Sequence, residues 1–94
     1  MRKLVWHNSF KRALKKYTRH DDETKGIIFN TLEELAKNPF HPGLRTHKLS
    51  GKLKGLWACW VEYDCRIIFR FESDSEIGEE MIVLIDLGTH DEVY

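Results

Sequence analysis

From Trp57 to Phe71 the sequence alternates with a period of two, and the alternation breaks once, at Tyr63-Asp64. Only extended backbone repeats with that period, because successive side chains leave a strand on opposite faces. The pattern predicts a strand over Leu56–Tyr63, with Trp57, Cys59, Val61 and Tyr63 on one face and Ala58, Trp60 and Glu62 on the other. A turn at Tyr63-Asp64 follows. Cys65, Ile67, Phe69 and Phe71 then alternate with Arg66, Ile68 and Arg70. The first face of this hairpin is wholly apolar and has to be covered. The second carries Trp60, Arg66 and Arg70 and is expected to look outward.

Two amphipathic helices can supply the cover. Phe10, Ala13, Leu14 and Tyr17 fall at i, i+3, i+4 and i+7, one helical stripe, with Asn8 or Ser9 as the cap. Lys11, Arg12, Lys15, Lys16 and Arg19 occupy the rest of that helix. A second stripe runs through Ile27, Ile28, Leu32, Leu35 and Ala36, capped by Asp21 or Asp22. Gly26 weakens it, and Asn38-Pro39 ends it, since the residue before a proline avoids helical backbone. The short link between the helices predicts an antiparallel pair.

Leu4-Val5-Trp6 reads as a first strand. Residues 39–46 form a Pro/Gly loop, residues 72–80 an acidic turn, and Met81–Leu87 a last strand. Gly88 to Tyr94 closes the chain. The expected order is β-α-α-β-β-β in a single domain over residues 1–94. Its class is α+β, a helical hairpin on one face of a small antiparallel sheet.

Net charge is zero, but it is unevenly spread. Residues 1–20 carry +7, 21–40 carry −3, 41–70 carry +4 and 71–94 carry −8. The basic half suggests an anionic partner. No apolar run nears the ~18 residues of a membrane span, and the N-terminus lacks a signal-peptide core. A cytoplasmic location without membrane contact is therefore expected. Cys59 and Cys65 read as two buried free thiols. No histidine pair has the i, i+4 spacing of a helical metal site, and no CxxC, GxGxxG or Walker loop is present, so neither metal nor cofactor is expected.

What remains is a general acid–base set beside cations. His47, Asp64, His90 and Tyr94 can move protons. Arg66, Arg70, Lys48, Lys52 and Lys54, with Arg45 just upstream, can hold phosphate. Trp60 offers a stacking surface for a base.

The segment THKLSGKLKGLWACWVEYDCRIIFRF and the closing DLGTHDEVY resemble the RelE/ParE superfamily of toxins from bacterial toxin–antitoxin pairs, nearest to its YafQ-like mRNA interferases. The resemblance spans essentially the whole chain and is most specific over residues 46–71 and 85–94. The YafQ-like pattern places a histidine before Leu-x-Gly, matched by His47, and an aspartate at the hairpin turn, matched by Asp64. It ends in Gly-Thr-His and an aromatic four residues on, matched by Gly88, Thr89, His90 and Tyr94. The RelE and YoeB branches place an arginine in the strand after the hairpin, matched by Arg66. The chain departs at Trp60, where YafQ-like relatives have a second histidine, and at Asp86, where they have an arginine that Arg66 is expected to replace.

The resemblance implies an endoribonuclease that cuts mRNA on the ribosome without metal. A 2′-hydroxyl attacks the adjacent phosphorus, and translation is inhibited. His47 or Asp64 is the implied base, His90 the acid, Arg66 the phosphate ligand, and Tyr94 completes the catalytic set. Arg45, Lys48, Lys52, Lys54, Trp60 and Arg70 are the implied RNA contacts. The implied partners are a cognate antitoxin, in a toxin–antitoxin hetero-oligomer, and the ribosome with its mRNA. The ParE branch of the same superfamily gives the alternative, a toxin that binds DNA gyrase. A weakened toxin that mainly binds its antitoxin is the third reading.

Overall fold

The computed structural model describes all residues, 1–94. Strand β1 (Lys3–Trp6) leads into helices α1 (Asn8–Tyr17) and α2 (Asp22–Lys37). Strands β2 (His47–Lys48), β3 (Trp57–Glu62), β4 (Cys65–Ser73) and β5 (Glu80–Thr89) follow, and a last turn of helix, α3 (His90–Val93), ends the chain. The class is α+β, as the sequence pattern predicts. The strands form one sheet in the order β1-β5-β4-β3-β2. Two details differ from expectation. β1 runs parallel to β5, so the sheet is mixed. The loop before the hairpin also contributes a two-residue edge strand, β2, too short to show a periodicity.

Helix α2 begins where Asp21 accepts the backbone N–H of Thr24 at 2.9 Å and ends at Asn38, before Pro39. In α1 the cap is His7, whose Nδ1 accepts from the Ser9 N–H, in place of the expected Asn8 or Ser9. The Ser9 hydroxyl donates instead to the carbonyl of Ile85 in β5. Both stripes face the sheet. Phe10, Leu14, Ile28, Leu32 and Leu35 pack with Cys59, Val61, Cys65, Ile67 and Phe69 in the main core. Each fully buried large side chain there contributes roughly 1.5–3 kcal/mol. Cys59 and Cys65 are buried thiols in this core.

Lys11 with Lys15 and Arg12 with Lys16 are like charges one turn apart in α1. Each pair costs about 0.2–0.5 kcal/mol of helix stability. Apolar packing and the favourable placement of Lys15 and Lys16 at the helix C-terminus offset this.

Strand β5 changes phase midway. Ile68 lies opposite Asp86 but Phe69 lies opposite Leu84, which leaves Ile85 as a bulge. Ile82 and Leu84 face the main core before it, and Leu87 faces the same core after it. The second face of the sheet is not simply open, as the alternation alone implies. Ala58 and Ile68 are buried there under Val93 of α3, with Leu49, Leu56 and Ile85 around them. Tyr63, expected on the apolar face, sits in the turn with φ 45° and is 90% exposed.

Candidate active site

Helix α3 lies on the sheet face opposite α1 and α2, and it sets the site. Three features hold it there. The Thr89 backbone N–H donates to Glu92 at 2.9 Å, which holds that carboxyl below the usual carboxylate range. Val93 plugs onto Ala58 and Ile68. Gly88 lets the turn fold back closely, since a Cβ there would sit 3.1 Å from Glu92 Oε1 and 3.4 Å from Val93 Cγ1. Gly-Thr-His thus has a packing reason.

The docked turn carries His90 and Tyr94 to the end of the hairpin. Their rings meet edge to face, with centroids 4.4 Å apart. The Tyr94 hydroxyl reaches 3.5 Å from Nε2 of His47, forty-seven residues earlier. Burial raises the Tyr94 pKa above the ordinary tyrosine value, against the pull of the neighbouring Arg66 guanidinium.

His47 enters from β2, opposite Ala58. Its Nδ1 lies 2.9 Å from the carbonyl of Arg45. A carbonyl only accepts, so Nδ1 carries the proton and the neutral ring keeps its lone pair on Nε2, toward Tyr94. The Arg45 backbone is in the left-handed region, with φ 50°, where it ends the helical turn Pro42–Leu44. The same residue's guanidinium lies over the Trp60 ring at 4.8 Å. Trp60 is fixed in turn by its indole N–H, which donates to the Tyr63 carbonyl at 2.7 Å.

Arg66 sits between Trp60 on β3 and Gly88 on β5. Its Nη1 donates to the Asp64 side chain at 2.7 Å and to the Asp64 carbonyl at 3.0 Å. The Asp64 carboxylate is thereby engaged in aiming the guanidinium, which suits a positioning role better than that of a free base.

All five residues expected to do chemistry, His47, Asp64, Arg66, His90 and Tyr94, therefore meet on one face, with Arg45 and Trp60 beside them. Four of the other expected RNA contacts do not join them. Lys48 is opposite Trp57, and its ammonium lies 5.5 Å from that ring, so it points to the helix-covered face. Lys52 and Lys54 belong to the loop that precedes β3. Arg70 shares the outer face but lies four strand positions from Arg66, about 13 Å away, and pairs with Glu72 at 2.8 Å. Asp86, in the place of the expected arginine, accepts from its neighbour's Leu87 N–H and lines a cleft beside Lys16, Tyr17 and Glu92. The Arg45 carbonyl and Val93 are the contributors that sequence reasoning passes over. Val93, an apolar residue in a polar tail, was the one available signal for a docked end.

A five-stranded mixed sheet with a helical hairpin on one face and a basic, histidine-bearing face on the other defines a RelE-like toxin fold. The family model described as the bacterial toxin of type II toxin–antitoxin systems, YafQ, matches residues 2–94. The chain belongs to that family, and it is a toxin of the type II toxin–antitoxin class. Among solved structures it is similar to YafQ from E. coli strain BL21(DE3), with a TM-score of 0.78 at 17% identity over 100% of this chain and 99% of that one. It is similar to the E. coli DinJ–YafQ complex, with a TM-score of 0.75 at 20% identity over 100% and 99%. It is also similar to a YoeB/ParE toxin from Agrobacterium tumefaciens, with a TM-score of 0.76 at 22% identity over 94% and 98%. No curated protein matches the sequence. No helix is long and apolar enough to cross a membrane.

Proposed function

We propose that this toxin is an endoribonuclease that cleaves mRNA on the ribosome by side-chain acid–base catalysis. The observation that carries the reading is the convergence of His47, Tyr94, His90 and Arg66 on one face from β2, α3 and β4. Nε2 of His47 takes the proton of the substrate's 2′-hydroxyl. The freed oxygen attacks the adjacent phosphorus while Arg66, aimed by Asp64, binds the non-bridging oxygens. The bond to the 5′ oxygen breaks, and protonated His90 gives that oxygen its proton. The products are a cyclic phosphate and a 5′-hydroxyl. Tyr94 keeps the two imidazoles apart and oriented. Trp60, with Arg45 over one face, flanks the scissile position.

The partners proposed are the translating ribosome, its mRNA and a cognate antitoxin, all in the cytoplasm. The E. coli YafQ structure in complex with DinJ supports the antitoxin by family. Growth arrest on expression, and cleavage of a translated message, are the expected results. Alanine at His47, Arg66, His90 or Tyr94 should each restore growth, with cleavage reduced by about 10²–10⁴ for an acid–base residue. Four variants as toxic as the parent would overturn the assignment. Gyrase-linked DNA breaks with intact mRNA would select the ParE-like mode instead, and no growth effect at all would select a weakened toxin.

A further inference from the structure

The proposed chemistry leaves the basic helix unused. Lys11, Lys15 and Arg19 recur every four residues along α1 and just beyond it, on the far side of the sheet from His47 and Tyr94. All three are exposed. None joins an ion pair, although Arg2, Lys37, Arg66 and Arg70 all do. With Lys25 from α2 they line a groove of about 350 Å³ between the helices, which contains a single acid, Asp22. The half-buried ring of Trp6 lines the same groove and packs against Phe10 and Phe29.

We infer that this groove is a second RNA-binding surface, which holds the phosphate backbone of a single strand away from the bond that is cut. Cations one helical turn apart rise about 6 Å from one to the next, a spacing that a strand of successive phosphates can follow. A cationic groove with an aromatic wall is the arrangement that binds single strands without reading sequence. An acidic protein segment is the competing occupant. Lysine is depleted at protein–protein interfaces, whereas three of the groove's four cations are lysines. Unpaired like charges on one helix also weaken the fold unless an anion neutralises them. The inference shares only its ligand class with the proposed function, and the two can fail separately.

The probe is a fluorescent single-stranded oligouridylate with methylated 2′-hydroxyls, which cannot be cleaved, titrated at several salt concentrations. Each phosphate neutralised on a single strand contributes about 0.7 to the slope of log K against log salt. The combined variant Lys11→Ala, Lys15→Ala, Arg19→Ala should bind more weakly, with a slope shallower by about 2. Lys11→Arg with Lys15→Arg should keep parental binding, because the surface reads charge. Circular dichroism melting reports whether each variant is folded. An unchanged slope in the folded triple variant overturns the inference, as does a parent that fails to bind the probe. Parental RNA binding together with lost capture of a polyglutamate peptide would assign the groove to a protein partner and also overturn it. If Arg66→Ala leaves message cleavage intact while the triple variant loses RNA binding, the active-site reading fails and the groove stands.

Discussion

Replacing Val93 with alanine tests whether α3 is a separately held arm of the site. Val93 is 8% exposed and rests on Ala58 and Ile68, a cluster apart from the main core. The change removes two methyl carbons and leaves a small void. That costs about 2 kcal/mol, or a factor of about 30 in the local opening equilibrium. Two backbone N–H groups report the opening directly. The Tyr94 N–H donates to the His90 carbonyl at 3.0 Å, and the Thr89 N–H to Glu92 at 2.9 Å. Amide exchange measured by NMR should show their protection falling about 30-fold, while amides of β4, such as that of Phe69, hold within about twofold. Cleavage activity should fall by up to the same factor, because undocking removes His90 and Tyr94 from His47 together. Uniform loss of protection across the sheet would show that α3 is part of the global unit, and unchanged protection at Tyr94 would show that Val93 does not hold it. Either result would refute the reasoning.

Gly88→Ala should mimic Val93→Ala from the other side, since its Cβ presses on Glu92 and Val93, and the same exchange experiment reads it. Gly26→Ala should stabilise the protein by about 1 kcal/mol and raise Tm by about 4–8 °C in a thermal melt, because a Cβ at this helical position meets nothing. Asp64→Asn should leave stability within about 1 kcal/mol by urea titration, yet lower cleavage as strongly as a misplaced Arg66 would, since the 2.7 Å charge-assisted bond is the guanidinium's anchor. Alkaline titration should unfold the protein early. Burial pushes Tyr17 up to about 12, Cys59 up to about 12 and Cys65 up to about 11. All three are neutral when protonated, so the unfolded chain releases these protons first. The stability they contribute is complete below the ordinary thiol value of 9.0 and is lost as pH rises through 11 to 12. Circular dichroism against pH would show it, and a flat signal to pH 12 would contradict it.

Local periodicity made much of this protein legible from its sequence. The hairpin, both long helices and their inward stripes follow from side-chain geometry within a few residues, and no distant contact is needed to see them. His47, Asp64, Arg66, His90 and Tyr94 stood out as titratable or cationic groups in a recognisable order. Tertiary structure alone decided how they meet. A two-residue strand carries too little pattern to reveal which face it presents, so Lys48 went over Trp57 and His47 toward Tyr94. The bulge at Ile85 reverses the inward phase of β5, and strand alternation cannot foresee a bulge because the partner strand sets the register. The tautomer of His47 depends on a carbonyl held by a left-handed Arg45, a backbone feature with no compositional sign. The packing of Val93 onto Ala58 and Ile68 brings a polar tail onto the face that His47 and Arg66 occupy, because burial is settled by which surfaces meet and not by neighbours along the chain.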